Sequence, residues 1–212
     1  MPINHKKKII FFHIPRCGGT SFNRALGFRN AKHLCGVIKS DEQIVTLHHL
    51  TPADLISTKL ISQEIFDSYF KFTVIRDPFD RMASDYHWQQ AHDYTGKFTD
   101  MSFNDYLQFA EKVITEGLYF KKKHYDHFRP MIMYCVEDDQ LLVDDILLLE
   151  NIDQQVAKIA DKIGNISIPK INGSRKYDHL RTAANIQKVY DLYAPDKALY
   201  DAVVTTNNSN NQ

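Results

Sequence analysis

The chain reads as an α/β protein, a parallel sheet with helices on both faces, and three observations carry that reading. Ile9–Phe12, Phe70–Ile75 and residues 146–149 are short apolar runs rich in β-favouring side chains, as expected of strands buried on both sides. Apolar residues at helical spacing fill the intervals, and strands alternating with helices imply parallel pairing through crossovers. The first two runs also end in a turn signal followed at once by a helix start, the kind of junction at which such sheets bind ligands.

At the first junction Pro15 ends the strand, and Gly18-Gly19 supplies backbone able to take positive φ and to lie close to a ligand. Thr20 and Ser21 follow with hydroxyls at a helix N-terminus, where the dipole favours an anion. This is a phosphate cradle in outline; the plain alternative is a βα turn whose glycines serve packing. No Lys directly precedes Thr20, so the loop is not a Walker A motif, which disfavours an ATPase or kinase.

Residues 20–29 then read as helix, 30–42 as turns and 43–47 as a short strand with His48-His49 at its end. Thr51-Pro52-Ala53-Asp54 is a helix start, with Thr as N-cap, Pro at the first position and an acid at the third. Leu55, Ile56, Leu60, Ile61 and Ile65 continue it at helical spacing. Arg76 stands at the carboxyl end of the second strand. Asp77-Pro78 opens the next helix, whose buried stripe is Phe79, Met82, Ala83 and Tyr86, with Arg81, Ser84 and Asp85 on other faces. Residues 102–116 read as helix and 121–130 as irregular, while Asn151 caps a helix that closes at Gly164. After a weaker strand or extended piece at 166–171 comes a final helix with Ile186, Val189, Tyr190 and Tyr193, which Pro195 breaks or restarts.

With 212 residues and 43% hydrophobic content, one domain spanning 1–204 is the simplest organisation, and the polar stretch 205–212 reads as a disordered tail. Basic and acidic residues number 26 each, so any anion site must be local, and no aromatic platform suggests nucleic acid. Cys17, Cys35 and Cys135 lack CxxC spacing, which suits a reducing compartment. The ten histidines invite a metal reading, but His87/His92 and His124/His127 lack a third ligand at a recognisable spacing, so none is expected. No run approaches the roughly 20 apolar residues of a membrane span, and the short run after Lys6-Lys7-Lys8 makes a poor signal peptide. The expected location is cytoplasmic, or the Golgi lumen if the chain is a piece of a longer eukaryotic one.

Two motifs in order, Pro15-Arg16-Cys17-Gly18-Gly19-Thr20-Ser21 after one strand and residues 72–81 (FTVIRDPFDR) with Ser84 beyond, resemble the cofactor loops of PAPS-dependent sulfotransferases. The resemblance is closer to the carbohydrate branch, which includes the heparan 2-O and 6-O and the chondroitin and HNK-1 type enzymes. His127-Phe128-Arg129-Pro130, residues 145–151 (DILLLEN) and Asn172-Gly173-Ser174-Arg175-Lys176 resemble further pieces of that branch, so the likeness spans about residues 9–200. It implies a P-loop-NTPase-like fold, and an enzyme that moves a sulfuryl group from 3′-phosphoadenosine 5′-phosphosulfate (PAPS) to a carbohydrate hydroxyl, leaving the bisphosphate PAP, with no metal required.

The resemblance also assigns roles. Arg16, Cys17, Gly18, Gly19, Thr20 and Ser21 would hold the 5′ end, and Arg76 with Ser84 the 3′-phosphate. Ser174, Arg175 and Lys176 would close over the nucleotide, and His127 with Arg129 would line the acceptor groove. Arg16 stands where the family has the Lys that supports the leaving oxygen; it keeps the charge but cannot give up a proton. His49, six residues before Leu55, takes the place of the family's base, with His48 as the neighbouring candidate. A module that binds the nucleotide without turnover is the rival reading. The acceptor stays open: a polysaccharide, a glycolipid sugar, a small metabolite or a protein tyrosine.

Overall fold

The computed structural model describes residues 2–28, 31–41, 43–93, 96–122, 124–169 and 177–209. Its strands are β1 (Ile3–Asn4), β2 (Ile9–Phe12), β3 (Val37–Lys39), β4 (Ile44–Thr46), β5 (Phe70–Ile75), β6 (Val136–Glu137), β7 (Gln140–Leu141) and β8 (Asp145–Leu148). Its α-helices are α1 (Gly19–Ala25), α2 (Pro52–Ser57), α3 (Gln63–Ser68), α4 (Pro78–His92), α5 (Phe103–Thr115), α6 (Ile152–Lys158), α7 (Ala160–Ile163), α8 (Ala183–Leu192) and α9 (Ala194–Ser209).

The central sheet has the order β1-β2-β5-β8. β2, β5 and β8 are parallel, and the pairings Phe12 with Thr73 and Ile75 with Leu148 bring their carboxyl ends to one edge. This is the α/β architecture the three apolar runs imply. The antiparallel edge strand β1 was not anticipated, because two residues carry no readable alternation. The strand expected at 43–47 does form, as β4, but it pairs with β3 in a separate hairpin rather than joining the sheet.

Alternation along β2 builds a core on each face. Ile9 and Phe11 pack with Phe22, Phe72, Leu147, Val156 and Ile163, so α1, α6 and α7 cover that side. Ile10 and Phe12 join Leu55, Phe66, Tyr134 and Leu148 on the other, with Leu199 and Val203 of α9 packed against them. At roughly 1.5–3 kcal/mol for each large apolar side chain buried, these two layers hold the strand ends in place. A third cluster, from Phe79, Tyr86, Tyr106, Phe128, Val189 and Tyr193, binds α4, α5 and α8 together.

The local signals are largely realised. Thr51 and Asp54 form a reciprocal capping box on α2, and Asp77 accepts from Asp80 N at 3.1 Å to start α4. Three expectations are corrected. The apolar spacing from Leu55 to Ile65 is split into α2 and α3 by a turn in which Lys59 takes φ +56°. Residues 166–169 form no strand. The tail expected to be disordered from Thr205 is helical to Ser209, because Val203 and Val204 pack on the core and Gln155 and Lys158 both donate to Asn207.

The larger correction concerns α4. Arg81, Ser84 and Asp85, expected away from the buried stripe, are all buried, because the helix is enclosed on nearly every side. Arg81 is 1% exposed and donates to the carbonyls of Pro15 (3.3 Å), His127 (2.8 Å) and Arg129 (2.7 Å). It also faces Asp196, 3.6 Å away, which accepts from the N–H groups of Met131 and Ile132. Arg81→Ala removes all of these and strands a buried carboxylate, so it should cost about 3–5 kcal/mol in chemical denaturation. Lys112→Ala, which breaks the exposed Lys112–Glu116 pair on α5, should leave stability unchanged within error.

Candidate functional site

The carboxyl ends of β2, β5 and β8 open into a cavity of about 1190 Å³. After β2 the chain passes through His13, Ile14 and Pro15 to Arg16 and Gly18, which take φ +66° and +79° before α1 begins. A left-handed Arg is strained relative to Gly, the kind of strain that collects at functional sites. Gly18 owes its place chiefly to its positive φ, and Gly19 to the lack of space for a side chain. A Cβ on Gly18 would meet Leu149 Cδ1 at 2.7 Å, and one on Gly19 would fall 1.9 Å from the His13 ring. Within the turn the Ser21 N–H donates to the Gly18 carbonyl at 3.0 Å, so that donor is already engaged.

Of the residues expected at the site, Arg16, Gly18, Gly19, Thr20, Ser21, His48, His49, Arg76, Ser84 and His127 line this one cavity. Two do not. Cys17 is buried with its Sγ on Met131 Sδ at 3.8 Å, and burial pushes its thiol up to about 12, so it is a protonated filler. Arg129 is buried, ion-paired to Asp54 and stacked near Tyr119 and Phe120, with its guanidinium 4.6 Å from the Phe120 ring centre. Its place is in the scaffold between α2 and the 124–130 segment. Ser174, Arg175 and Lys176 lie outside the described residues.

Arg76 lines the cavity, and the acids just after it in sequence are engaged elsewhere. Asp80 pairs with Arg181, and Asp77 accepts from Tyr190 at 2.8 Å. Arg16 donates through Nε and Nη2 to Ser84 Oγ at 3.2 and 3.1 Å and lies over Trp88. Glu150, placed by the turn after β8, accepts from Asp77 N at 3.0 Å, tying the starts of α4 and α6 together.

Against the loop stands a group of imidazoles that no linear spacing reveals. His13, at the end of β2, touches His48 and His49, and His49 touches His127, with ring centres 4.3–5.3 Å apart through the chain of contacts. His49 Nδ1–H donates to buried Asp126 at 2.7 Å, which leaves Nε2 as the basic nitrogen. His127 Nδ1–H donates to Asp85 at 2.6 Å, and Asp85 also accepts from Tyr106. Burial works to raise the Asp85 carboxyl, but the His127 ring, its hydrogen bond and Arg16 outweigh it and hold the group below its usual range. Burial lowers His49 and His13 well below an ordinary imidazole, each with help from neighbouring histidines, and lowers His48 to about 4. All three are neutral at pH 7.

Sequence reasoning missed His13, Asp85, Trp88 and Asp126. His13 had a signal, its position one residue past a strand on the ligand-binding edge. Asp126 had none, being 77 residues from the histidine it orients. The chemistry available is therefore a neutral base backed by a carboxylate, a glycine turn with hydroxyls, and two guanidinium groups facing the same space.

A family model described as "Sulfotransferase family" matches residues 1–201. Comparison with curated proteins and with solved structures finds no match.

The neutral histidines make stability pH-dependent. The unfolded chain takes up protons near pH 6.5, whereas folded His48 resists to about 4, so its contribution is complete above 6.5 and is lost as the pH falls towards 4. Urea unfolding at pH 7.5, 6 and 5 should show falling stability. His48→Gln should flatten that slope by up to about 1.4 kcal/mol per pH unit; a flat parent profile would contradict the buried neutral cluster.

Proposed function

The chain belongs to the sulfotransferase family, and we propose that it transfers a sulfuryl group from PAPS to a carbohydrate hydroxyl. One observation carries this reading: a glycine-turn loop, a pair of 3′-phosphate candidates and a carboxylate-backed neutral histidine share one cavity. Two anionic ends need two binding places, and Thr20–Ser21 for one with Arg76 and Ser84 for the other provide them within the same cavity. The lining fits such a ligand, since the Gly18-Gly19 turn, Thr20, Ser21 and the two guanidinium groups of Arg16 and Arg76 line the same cavity.

PAPS supplies the sulfuryl group; the protein's part is to position, to neutralise charge and to move a proton. His49 Nε2 takes the proton of the acceptor hydroxyl as the new S–O bond forms, and Asp126 holds the ring and stabilises the imidazolium. The S–O bond to the phosphate breaks as the new one forms, and Arg16 offsets charge on the leaving oxygen without donating a proton. His127 supplies the cavity's acceptor side with an oriented imidazole, suited to a sugar's hydroxyls. Cys17 and Arg129 act beneath these groups rather than on the ligands. No described helix is long and apolar enough to cross a membrane.

A second reading, a nucleotide-binding module without turnover, is favoured by one contact, the Arg16–Ser84 pair that occupies two ligand-binding groups with each other.

Thermal-shift titration should show strong stabilisation by the 3′,5′-bisphosphate, about 2.7 kcal/mol at a hundredfold excess over Kd, and much less by ADP. Equal effects would remove the 3′-phosphate role of Arg76 and Ser84. With labelled PAPS and a glycan panel, His49→Gln should lower kcat by roughly 10²–10⁴ while leaving bisphosphate binding intact. Activity confined to the Arg16→Lys variant would select the module.

A further inference from the structure

His13, His48 and His49 each present a ring nitrogen within 4.8 Å of the other two, and all three rings line the cavity. They come from two separate places, the end of β2 and the tight turn at Leu47–His49 after β4, so their meeting is a product of the fold. Each ring is also restrained from behind. His49 Nδ1–H donates to Asp126 at 2.7 Å; Asn23 Nδ2 lies 3.2 Å from His13 Nδ1, and a turn of that amide would bring its Oδ1, buried without a partner, to accept from Nδ1–H and free Nε2 to ligate. The Gly36 backbone hydrogen-bonds to His48, whose Nδ1 is buried without a partner.

We propose that these three imidazoles form a binding site for a borderline transition-metal ion of the Zn²⁺ class, with His13 Nε2, His48 Nδ1 and His49 Nε2 as donors. The arrangement has the features such a site needs. Three neutral imidazoles suit zinc, nickel, cobalt or copper and reject magnesium and calcium. The Asp126–His49 bond is the carboxylate–histidine support that fixes the tautomer of a ligating ring. A fourth position faces the cavity, open to water. The buried, unpartnered His48 Nδ1 gains the partner it lacks. Tetrahedral coordination at about 2.0–2.1 Å draws the nitrogens to about 3.3 Å from one another, so small ring rotations close the site from its present spacing.

The site shares His49 with the transfer chemistry. An ion on Nε2 takes the lone pair that would accept the acceptor's proton, so occupancy and turnover exclude each other and the ion acts as an inhibitor. Binding itself does not depend on the transferase reading and is measured without any substrate.

The test uses the full chain, with Co²⁺ followed by its visible absorption and Zn²⁺ by calorimetry, circular dichroism confirming that each variant is folded. The expected result is one ion per chain with a tetrahedral cobalt spectrum. His48→Gln and His13→Asn should abolish the spectrum, and Asp126→Asn should weaken binding about 10–100-fold. His5→Gln, at an exposed histidine before β2 whose ring bonds Tyr69 instead, should leave it as in the parent. No stoichiometric binding by the parent, or binding equal to the parent's in both His48→Gln and His13→Asn, overturns the site. If the parent also turns over substrate, Zn²⁺ should inhibit it and a chelator should restore it. Zn²⁺-bound protein that turns over at the parent rate overturns the inhibitory role alone.

Discussion

Arg81 holds three carbonyls from two distant segments with one rigid guanidinium, and the site's geometry descends from that arrangement. Pro15 belongs to the loop after β2, His127 and Arg129 belong to the segment that brings the His127 imidazole to the cavity, and Asp196 anchors α9 behind them. A buried charge of this kind is costly unless every donor finds an acceptor. Here the partners are backbone carbonyls and a carboxylate whose own acceptor capacity is met by Met131 and Ile132. The cradle loop and the 124–130 segment therefore cannot shift independently of each other.

On that frame the cavity carries two kinds of group. Arg16 and Arg76 line it with positive charge, which would draw a polyanion in. The imidazoles of His13, His48 and His49 line it as well, held neutral by burial, while Asp85 and Asp126 orient the rings of His127 and His49. Desolvation keeps the His49 imidazole unprotonated, the state that the proposed proton transfer requires. The same neutrality equips the rings to ligate a metal ion. Both properties follow from one cause, the enclosure of His13 and His49 by the loop and the turn.

Much of the fold was legible because its signals are local. Ile9–Phe12 and Phe70–Ile75 announce buried strands by their own composition, and Thr51-Pro52 and Asp77-Pro78 announce helix starts by their own hydrogen bonding. The glycine turn was legible for the same reason, since positive φ at Gly18 is a property of that residue and its neighbours. The sequence missed what depends on partners far along the chain. The apolar stripe of α4 gave no hint that Arg81, Ser84 and Asp85 would be buried too, because their acceptors come from other segments. Arg129 looked like a ligand-binding cation until Asp54 and the aromatic pair at 119–120 enclosed it.

The sequence by itself determined the strand–turn–helix units, the parallel sheet they imply and the family to which those units point. Tertiary structure alone decided which charges serve the site and which serve the scaffold, and it alone assembled the histidines. The reason is one of range. Backbone preference and periodicity act over a few residues, whereas the neutrality of His49, its tautomer and its neighbours are set by Asp126 and His13, brought beside it by packing.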